Sequence, residues 1–269
     1  MRSVWITGAS SGIGEALVKE FATKGWKVLA QARRRERLEA LAAFAPEHIV
    51  PFVGDVRDYS ACEAAAHHAI EKFGRLDAVI ANAGISHRAL VEEVSLAVLR
   101  EVMEVNFWGA VHAIKAALPY VLQQRGWIVG VSSIAGFRGL PARSGYSASK
   151  FALNGFLESL RTELYETGVS VLIAAPGFTR SEIRQKALTA EGLPQGESPL
   201  PEERLMSAEA VASAIYSAMM KRRKYLILTS QGRWTVRLNK IAPGWMDRIV
   251  YAYFLRENSS PLKREKDPS

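Results

Sequence analysis

Val4-Trp5-Ile6-Thr7-Gly8-Ala9-Ser10-Ser11-Gly12-Ile13-Gly14 runs directly into Glu15-Ala16-Leu17-Val18-Lys19-Glu20-Phe21-Ala22. A short apolar run is cut off by small residues and glycines. Beyond the turn, apolar residues at 13, 17, 18 and 21 have the spacing of an amphipathic helix. The order is strand, glycine-rich turn, helix. Glycines allow a tight turn and close backbone approach, and the helix N-terminus offers free N–H groups and a positive dipole end to a phosphate. The spacing is Gly-x-x-x-Gly-x-Gly, which differs from the better-known Gly-x-Gly-x-x-Gly. Gly8, Ser10, Ser11, Gly12, Ile13 and Gly14 are the candidate phosphate contacts.

A second strand is read from Trp26 to Gln31, ending at Ala32-Arg33-Arg34-Arg35. In a dinucleotide-binding fold this strand end lies beside the adenosine ribose, where an acidic residue accepts bonds from the 2′-hydroxyl of NAD. Ala32 stands there instead, followed by Arg33, whose planar guanidinium suits the 2′-phosphate of NADP. The arginines also have a plainer reading as the start of a solvated helix, although Arg at that end opposes the helix dipole. Further strands are read at Ala78–Ala81, Val169–Ala174 and Tyr225–Thr229. Alternating strand and helix signals predict an α/β fold of Rossmann type, a doubly wound parallel sheet covered on both faces. The expected organisation is one such domain over residues 1–230, an amphipathic helical extension over 231–256 and a flexible tail over 257–269.

Tyr146-Ser147-Ala148-Ser149-Lys150 places a phenol and an ammonium on one helix face. The ammonium favours the phenolate and lowers the Tyr pKa from about 10 toward neutrality. A Tyr tuned that way exchanges a proton with a carbonyl oxygen at working pH. Alone, such a pair is more often plain helix surface.

Thr7-Gly8-x-x-x-Gly12-x-Gly14, Asn82-Ala83-Gly84, Asn106, Ser133, Tyr146-x-x-x-Lys150 and Pro176-Gly177 together resemble the short-chain dehydrogenase/reductase family over roughly residues 3 to 230. The resemblance implies Tyr146 as general acid/base, Ser133 as polariser of the same oxygen, and Lys150 as modulator of Tyr146 and partner of the nicotinamide ribose. It implies that Asn106 keeps a helix kinked and holds a water linking Lys150 to solvent. Asn82, Ala83 and Gly84 would line the floor under the adenine ribose and steady the sheet. Asp55 and Val56, read as closing another strand, would hold the adenine ring. Pro176, Gly177 and Thr179 would fix the nicotinamide carboxamide, with Ser181 replacing the family's usual Thr and keeping its hydroxyl. Ser132 is out of register and reads as structural. NADP(H) is the implied cofactor, no metal is expected, and a dimer or tetramer through the helices carrying Asn106 and Tyr146 is the implied assembly.

The net charge of +8 lies wholly in Lys221 to Ser269, where twelve Lys and Arg face four Asp and Glu. The same segment carries Trp234, Leu238 and Ile241 on one predicted helix face. After Pro243-Gly244, Trp245, Ile249, Val250, Tyr253 and Phe254 form a second stripe. Aromatic and basic faces of this kind suit a membrane surface. They equally suit packing over a substrate pocket or against another subunit, and the sequence leaves these uses open. No nucleic-acid reader motif accompanies the charge. There is no secretory signal pattern and no apolar run of about eighteen residues. The single Cys62 fits a reducing compartment and reads as helix packing. The expected location is the cytoplasm, with the membrane surface as a second candidate.

Residues 182–206 read as a substrate lid, too long for a simple connection. Leu188, Leu193, Leu200 and Leu205 in the lid, with Phe137 and Leu140 before Tyr146, point to an apolar pocket. Arg180 and Arg184 face either an anion or water. The expected activity is NADPH-dependent reduction of a ketone or aldehyde, with a lipophilic substrate such as a long-chain ketolipid or a steroid. Oxidation of an alcohol with NAD and a non-catalytic NADPH sensor at a membrane are the alternatives.

Overall fold

A computed structural model describes residues 1–198, 205–257 and 260–263. Strand β1 spans Ser3–Thr7 and is buried along its whole length. Its side chains alternate between the faces of the sheet, so Val4 and Ile6 enter one core and Trp5 the other. Around β1 the chain builds β2 (Lys27–Ala32), β3 (Ile49–Val53), β4 (Ala78–Ala81), β5 (Trp127–Val131), β6 (Ser170–Ala175) and β7 (Tyr225–Ile227). They form one seven-stranded sheet in the order β3-β2-β1-β4-β5-β6-β7, every pairing parallel. The doubly wound Rossmann architecture read from the sequence is therefore the fold. Strand ends differ from the reading by one or two residues, and Asp55 lies beyond the end of β3 rather than closing it.

Helices α1 (Gly12–Thr23) and α2 (Arg35–Ala42) pack on one face with a later helix over Ala208–Met220. Helix α3 (Tyr59–Phe73) packs on the other, where Cys62 is buried and its thiol is pushed up to about 12, chiefly by burial. Helix α4 (Leu96–Met103) passes through a π-helical turn at Glu104–Trp108 into α5 (Gly109–Gln123). Helix α6 (Ser144–Glu163) follows β5, and α7 is the Ala208–Met220 helix. Ser207 caps α7 by accepting from the Ala210 N–H at 3.1 Å. The strand order reverses between β1 and β4, which places a crevice at the carboxyl ends of these strands.

The extension consists of α8 (Ser230–Ile241) and α9 (Pro243–Leu255). Its buried stripes coincide only in part with those read from the sequence: Leu238, Val250 and Phe254 pack inward, Val236 and Met246 join them, and the tryptophans do not. In α9, Met246, Val250 and Phe254 pack with Leu140, Phe178, Leu238 and Leu262. In α8, Val236 is buried. Trp234, Ile241 and Trp245 stay 69%, 83% and 71% exposed. Both arrangements are compatible with the 3.6-residue period, and only the partner surface selects between adjacent faces. Among the described residues, no helix is long and apolar enough to cross a membrane.

Candidate active site

One cavity of about 920 Å³ runs from the glycine turn, past Tyr146, to the underside of α8 and α9. The turn is locked before any ligand arrives. The Asn82 side-chain amide donates to the Thr7 carbonyl at 2.9 Å, and the Asn82 N–H donates to the Thr7 hydroxyl at 3.0 Å. Gly8 has φ +66, and a Cβ there would lie 2.7 Å from the Ala83 Cα. A Cβ on Gly14 would lie 2.1 Å from the Gly8 carbonyl oxygen. Turn and helix start are thus in contact, and the concavity at the N-terminus of α1 fits a dinucleotide pyrophosphate. Gly8, Ser10, Ser11, Gly12, Ile13 and Gly14 all line the cavity, as do Asp55, Val56, Asn82, Ala83, Gly84, Gly177, Thr179 and Ser181. Pro176 does not line it; its carbonyl accepts from the Ile134 N–H at 3.4 Å.

At the end of β2 the two arginines part. Arg33 is 61% exposed and leans on Asp55 at 3.9 Å. Arg34 turns inward and donates to the Ser10 and Ser11 hydroxyls at 3.0 and 2.9 Å, with Glu182 on its other side at 3.3 Å. Both line the cavity. Sequence reasoning named Arg33 and missed Arg34, because both lie beyond the end of β2, where the bend into α2 rather than a strand period decides which neighbour faces the turn. Asp55 is held chiefly by Arg57, whose guanidinium approaches to 2.7 Å. Burial raises the Asp55 pKa, but the Arg57 hydrogen bonds and the nearby charges outweigh it, so the carboxyl sits below its ordinary range.

Asn106 lies in the π-helical turn, fully buried and off the cavity wall. Its side chain accepts from the Ile85 N–H at 2.8 Å and donates to the Ile85 carbonyl at 3.0 Å and the Ser149 hydroxyl at 2.9 Å. Ser149 in turn donates to the Tyr146 carbonyl at 2.8 Å. Asn106 therefore ties the exit of β4 to the backbone of Tyr146, and Ser149 is a linking residue that the motif alone did not reveal. Gly84 sits between Asn106 and Lys150, where a Cβ would meet them at 3.2 and 3.5 Å.

Ser133 accepts from the Ala135 N–H at 3.1 Å and lines the cavity beside Tyr146, near enough for its hydroxyl to act on the phenol. Ser132 is buried beside it, packed against Gly136. Burial raises the Tyr146 pKa, while the Ser133 hydrogen bond and the charges of Arg143 and Arg184 pull it down; the net position is above the ordinary value. The Lys150 ammonium lies 5.7 Å from the Tyr146 ring centroid and donates to the Val131 carbonyl at 2.9 Å. Arg143 and Arg184 add positive charge near the phenol, beside the Lys150 ammonium. Arg143, three residues before Tyr146, was the available signal.

Burial pushes the Lys150 ammonium down to about 8. Its folded pKa lies below the unfolded one, so between about pH 8 and 10 the unfolded chain holds more protons and stability rises with pH. The burial penalty is fully present at neutral pH. Lys150→Met is expected to raise stability at pH 7 by about 1–2 kcal/mol, net of the lost Val131 hydrogen bond, and to flatten that rise. Thermal melts at about pH 7 and pH 9.5 check this; a lower Tm at both would mean that the hydrogen bond outweighs the burial cost.

The apolar chamber beyond Tyr146 is walled by Leu140, Phe178, Met246, Val250 and Phe254. The lid leucines mostly lie elsewhere. Leu188 packs with Ala89, Val94 and Val98, Leu193 is exposed, Leu205 lines the cavity, and Leu200 falls outside the described residues. Phe137 packs into the core beside Tyr225. Arg184 lines the cavity and donates to the Thr179 carbonyl at 2.8 Å and the Ser198 hydroxyl at 3.2 Å.

The family model described as short chain dehydrogenase matches residues 2–192. The mouse dehydrogenase/reductase SDR family member 7B is 34% identical over 266 residues, which cover 96% of this chain and 82% of the relative. The 11-beta-hydroxysteroid dehydrogenase 1A of Arabidopsis thaliana is 35% identical over 265 residues, covering 92% and 75%. A short-chain dehydrogenase/reductase from Burkholderia phymatum in complex with NAD superposes with a TM-score of 0.81 at 25% identity, covering 91% of this chain and 94% of its own. An alcohol dehydrogenase from the archaeon Thermococcus sibiricus complexed with 5-hydroxy-NADP gives 0.75 at 27% identity, covering 85% and 96%. Fold and cradle define an oxidoreductase that uses a nicotinamide dinucleotide. The chain belongs to the short-chain dehydrogenase/reductase family.

Proposed function

We propose that the protein reduces a lipophilic ketone or aldehyde to an alcohol with NADPH. The observation that carries this is the position of Tyr146, beside Ser133, between the glycine-turn end of the cavity and its apolar chamber. NADPH supplies hydride to the carbonyl carbon. Tyr146 gives its proton to the carbonyl oxygen, Ser133 donates a hydrogen bond to that oxygen, and Lys150 orients the nicotinamide ribose. Asn106 holds the Tyr146 backbone in place through Ser149. The steroid named in the description of the Arabidopsis relative is consistent with an apolar chamber of this kind.

Preference for NADPH rests on Arg34 and Arg33 beside Ser10 and Ser11, four groups that donate to a 2′-phosphate. Arg34→Ala is expected to weaken NADPH binding at least about tenfold while NADH affinity changes little, and Arg33→Ala to act in the same direction more weakly. Nicotinamide fluorescence titrations read both. Equal binding of the two cofactors by the unaltered protein would put NAD-dependent oxidation first.

The exposed Trp234 and Ile249 border the cavity mouth, with Ile241 and Trp245 beyond them and Arg233, Arg237, Lys240 and Arg248 exposed around them. In this reading that face rests on an anionic lipid surface, and substrate enters from it. Cosedimentation with vesicles containing phosphatidylserine should fall sharply in Trp234→Ser/Trp245→Ser. Unchanged cosedimentation would remove the membrane from the proposal.

A further inference from the structure

Glu182 opens the 182–206 segment and lines the cavity together with Arg34, Ser10 and Ser11. The root of that segment crosses directly over the glycine turn: a Cβ on Gly12 would lie 3.1 Å from the Ser181 Cβ. The Arg34 guanidinium is divided between two sets of partners. Nη2 donates to the Ser10 and Ser11 hydroxyls at 3.0 and 2.9 Å, and Nε to the Ser10 hydroxyl at 3.2 Å. Nη1 donates to the Glu182 carboxylate at 3.3 Å.

The carboxylate contact is the exchangeable one. It is longer than the roughly 2.7–2.9 Å of a tight charge-assisted bond. The Arg34 and Glu182 side chains are 37% and 34% exposed, so water screens the pair and little stability rests on it. Glu182 also has other cations to turn to. Lys186, four residues on in the same segment, donates to it, and Arg37 of α2 lies 3.9 Å away. The Lys186 hydrogen bond outweighs burial and, with Arg34, holds the Glu182 carboxyl below its ordinary range, so it is charged at neutral pH. Releasing Arg34 therefore leaves the carboxylate paired. A 2′-phosphate that accepts from the two serine hydroxyls finds Nη1 as the remaining donor of Arg34, and the carboxylate already stands there. A phosphate with about −1.5 to −2 charges repels that carboxylate. The 2′-hydroxyl of NADH brings no anion to contest it.

We propose that Glu182 is a specificity-determining residue: it competes with the 2′-phosphate of NADPH for Arg34, and binding of that phosphate returns the carboxylate to Lys186. This rests on the NADPH reading of Arg34 and adds the residue that restrains the preference. Adenosine 2′,5′-bisphosphate and adenosine 5′-monophosphate differ only in the 2′-phosphate, and both are titrated into the intact protein by calorimetry. Glu182→Gln keeps the side chain's size and removes its charge. It should bind the bisphosphate about three- to tenfold tighter and the monophosphate within about twofold of the unaltered protein. NADPH and NADH, followed by nicotinamide fluorescence, should divide in the same way. In an Arg34→Ala background the gain from Glu182→Gln should shrink below about twofold, because no guanidinium remains to compete for. Glu39→Gln removes a different acid, one that lies 3.8 Å from Arg35 in α2, and should alter neither nucleotide. Unchanged or weaker bisphosphate binding in Glu182→Gln, an equal gain for both nucleotides, or a gain undiminished by Arg34→Ala overturns the competition. Failure of the NADPH reading looks different: the unaltered protein binds both nucleotides equally, Arg34→Ala changes neither, and the competition falls with it.

Discussion

Tyr146→Phe is expected to lower turnover by about three orders of magnitude or more and to leave NADPH affinity within about twofold. The change removes one oxygen. It takes away the proton donor, while the ring keeps its place on α6. The cradle for the dinucleotide is built from β1, β4 and the start of α1, and none of those contacts passes through the phenol oxygen. The loss should therefore appear in kcat rather than in cofactor binding. Stopped-flow reduction and a fluorescence titration on the same preparation separate the two. Retained turnover would take Tyr146 out of the chemistry.

Gly14→Ala should nearly abolish cofactor binding and lower stability. The added Cβ would lie 2.1 Å from the Gly8 carbonyl oxygen and 2.6 Å from the Asn82 amide nitrogen. The first of these is backbone, so no side-chain rotation relieves it. Either the turn shifts or α1 moves away from it, and both destroy the contact that shapes the anion site. Overpacking of this kind costs about 1–3 kcal/mol, or a Tm lower by several degrees in a chain of this size. Gly155→Ala is the control: it lies in α6 with open space where the Cβ would go, and helix propensity makes it neutral or slightly stabilising. A Gly14→Ala protein with unchanged Tm and NADPH affinity would mean that the turn is looser than its contacts indicate.

Much of the fold was legible because its signals are local. The apolar run Val4-Trp5-Ile6 and the helical spacing after Gly14 each depend on a few adjacent residues. The candidate catalytic set was legible as a motif: Ser133, Tyr146 and Lys150 stand at the family's spacings, and the fold brings them to one cavity. Asn106 was legible by position but not by action: its bonds run to Ile85 and Ser149, and no local pattern records a bond across 43 residues.

What the sequence by itself determined is the order of strands and helices, the glycine turn between β1 and α1 and the candidate reacting side chains. Backbone geometry and residue chemistry fix these over short distances. Only the tertiary structure decided which of two adjacent arginines faces the turn, which stripe of α9 is buried, and that the Glu182 carboxylate stands against Arg34. In each case the residue has two or more equivalent local environments, and the choice is made by a surface brought up from far along the chain. For Glu182 and Arg34, that surface comes from 148 residues away.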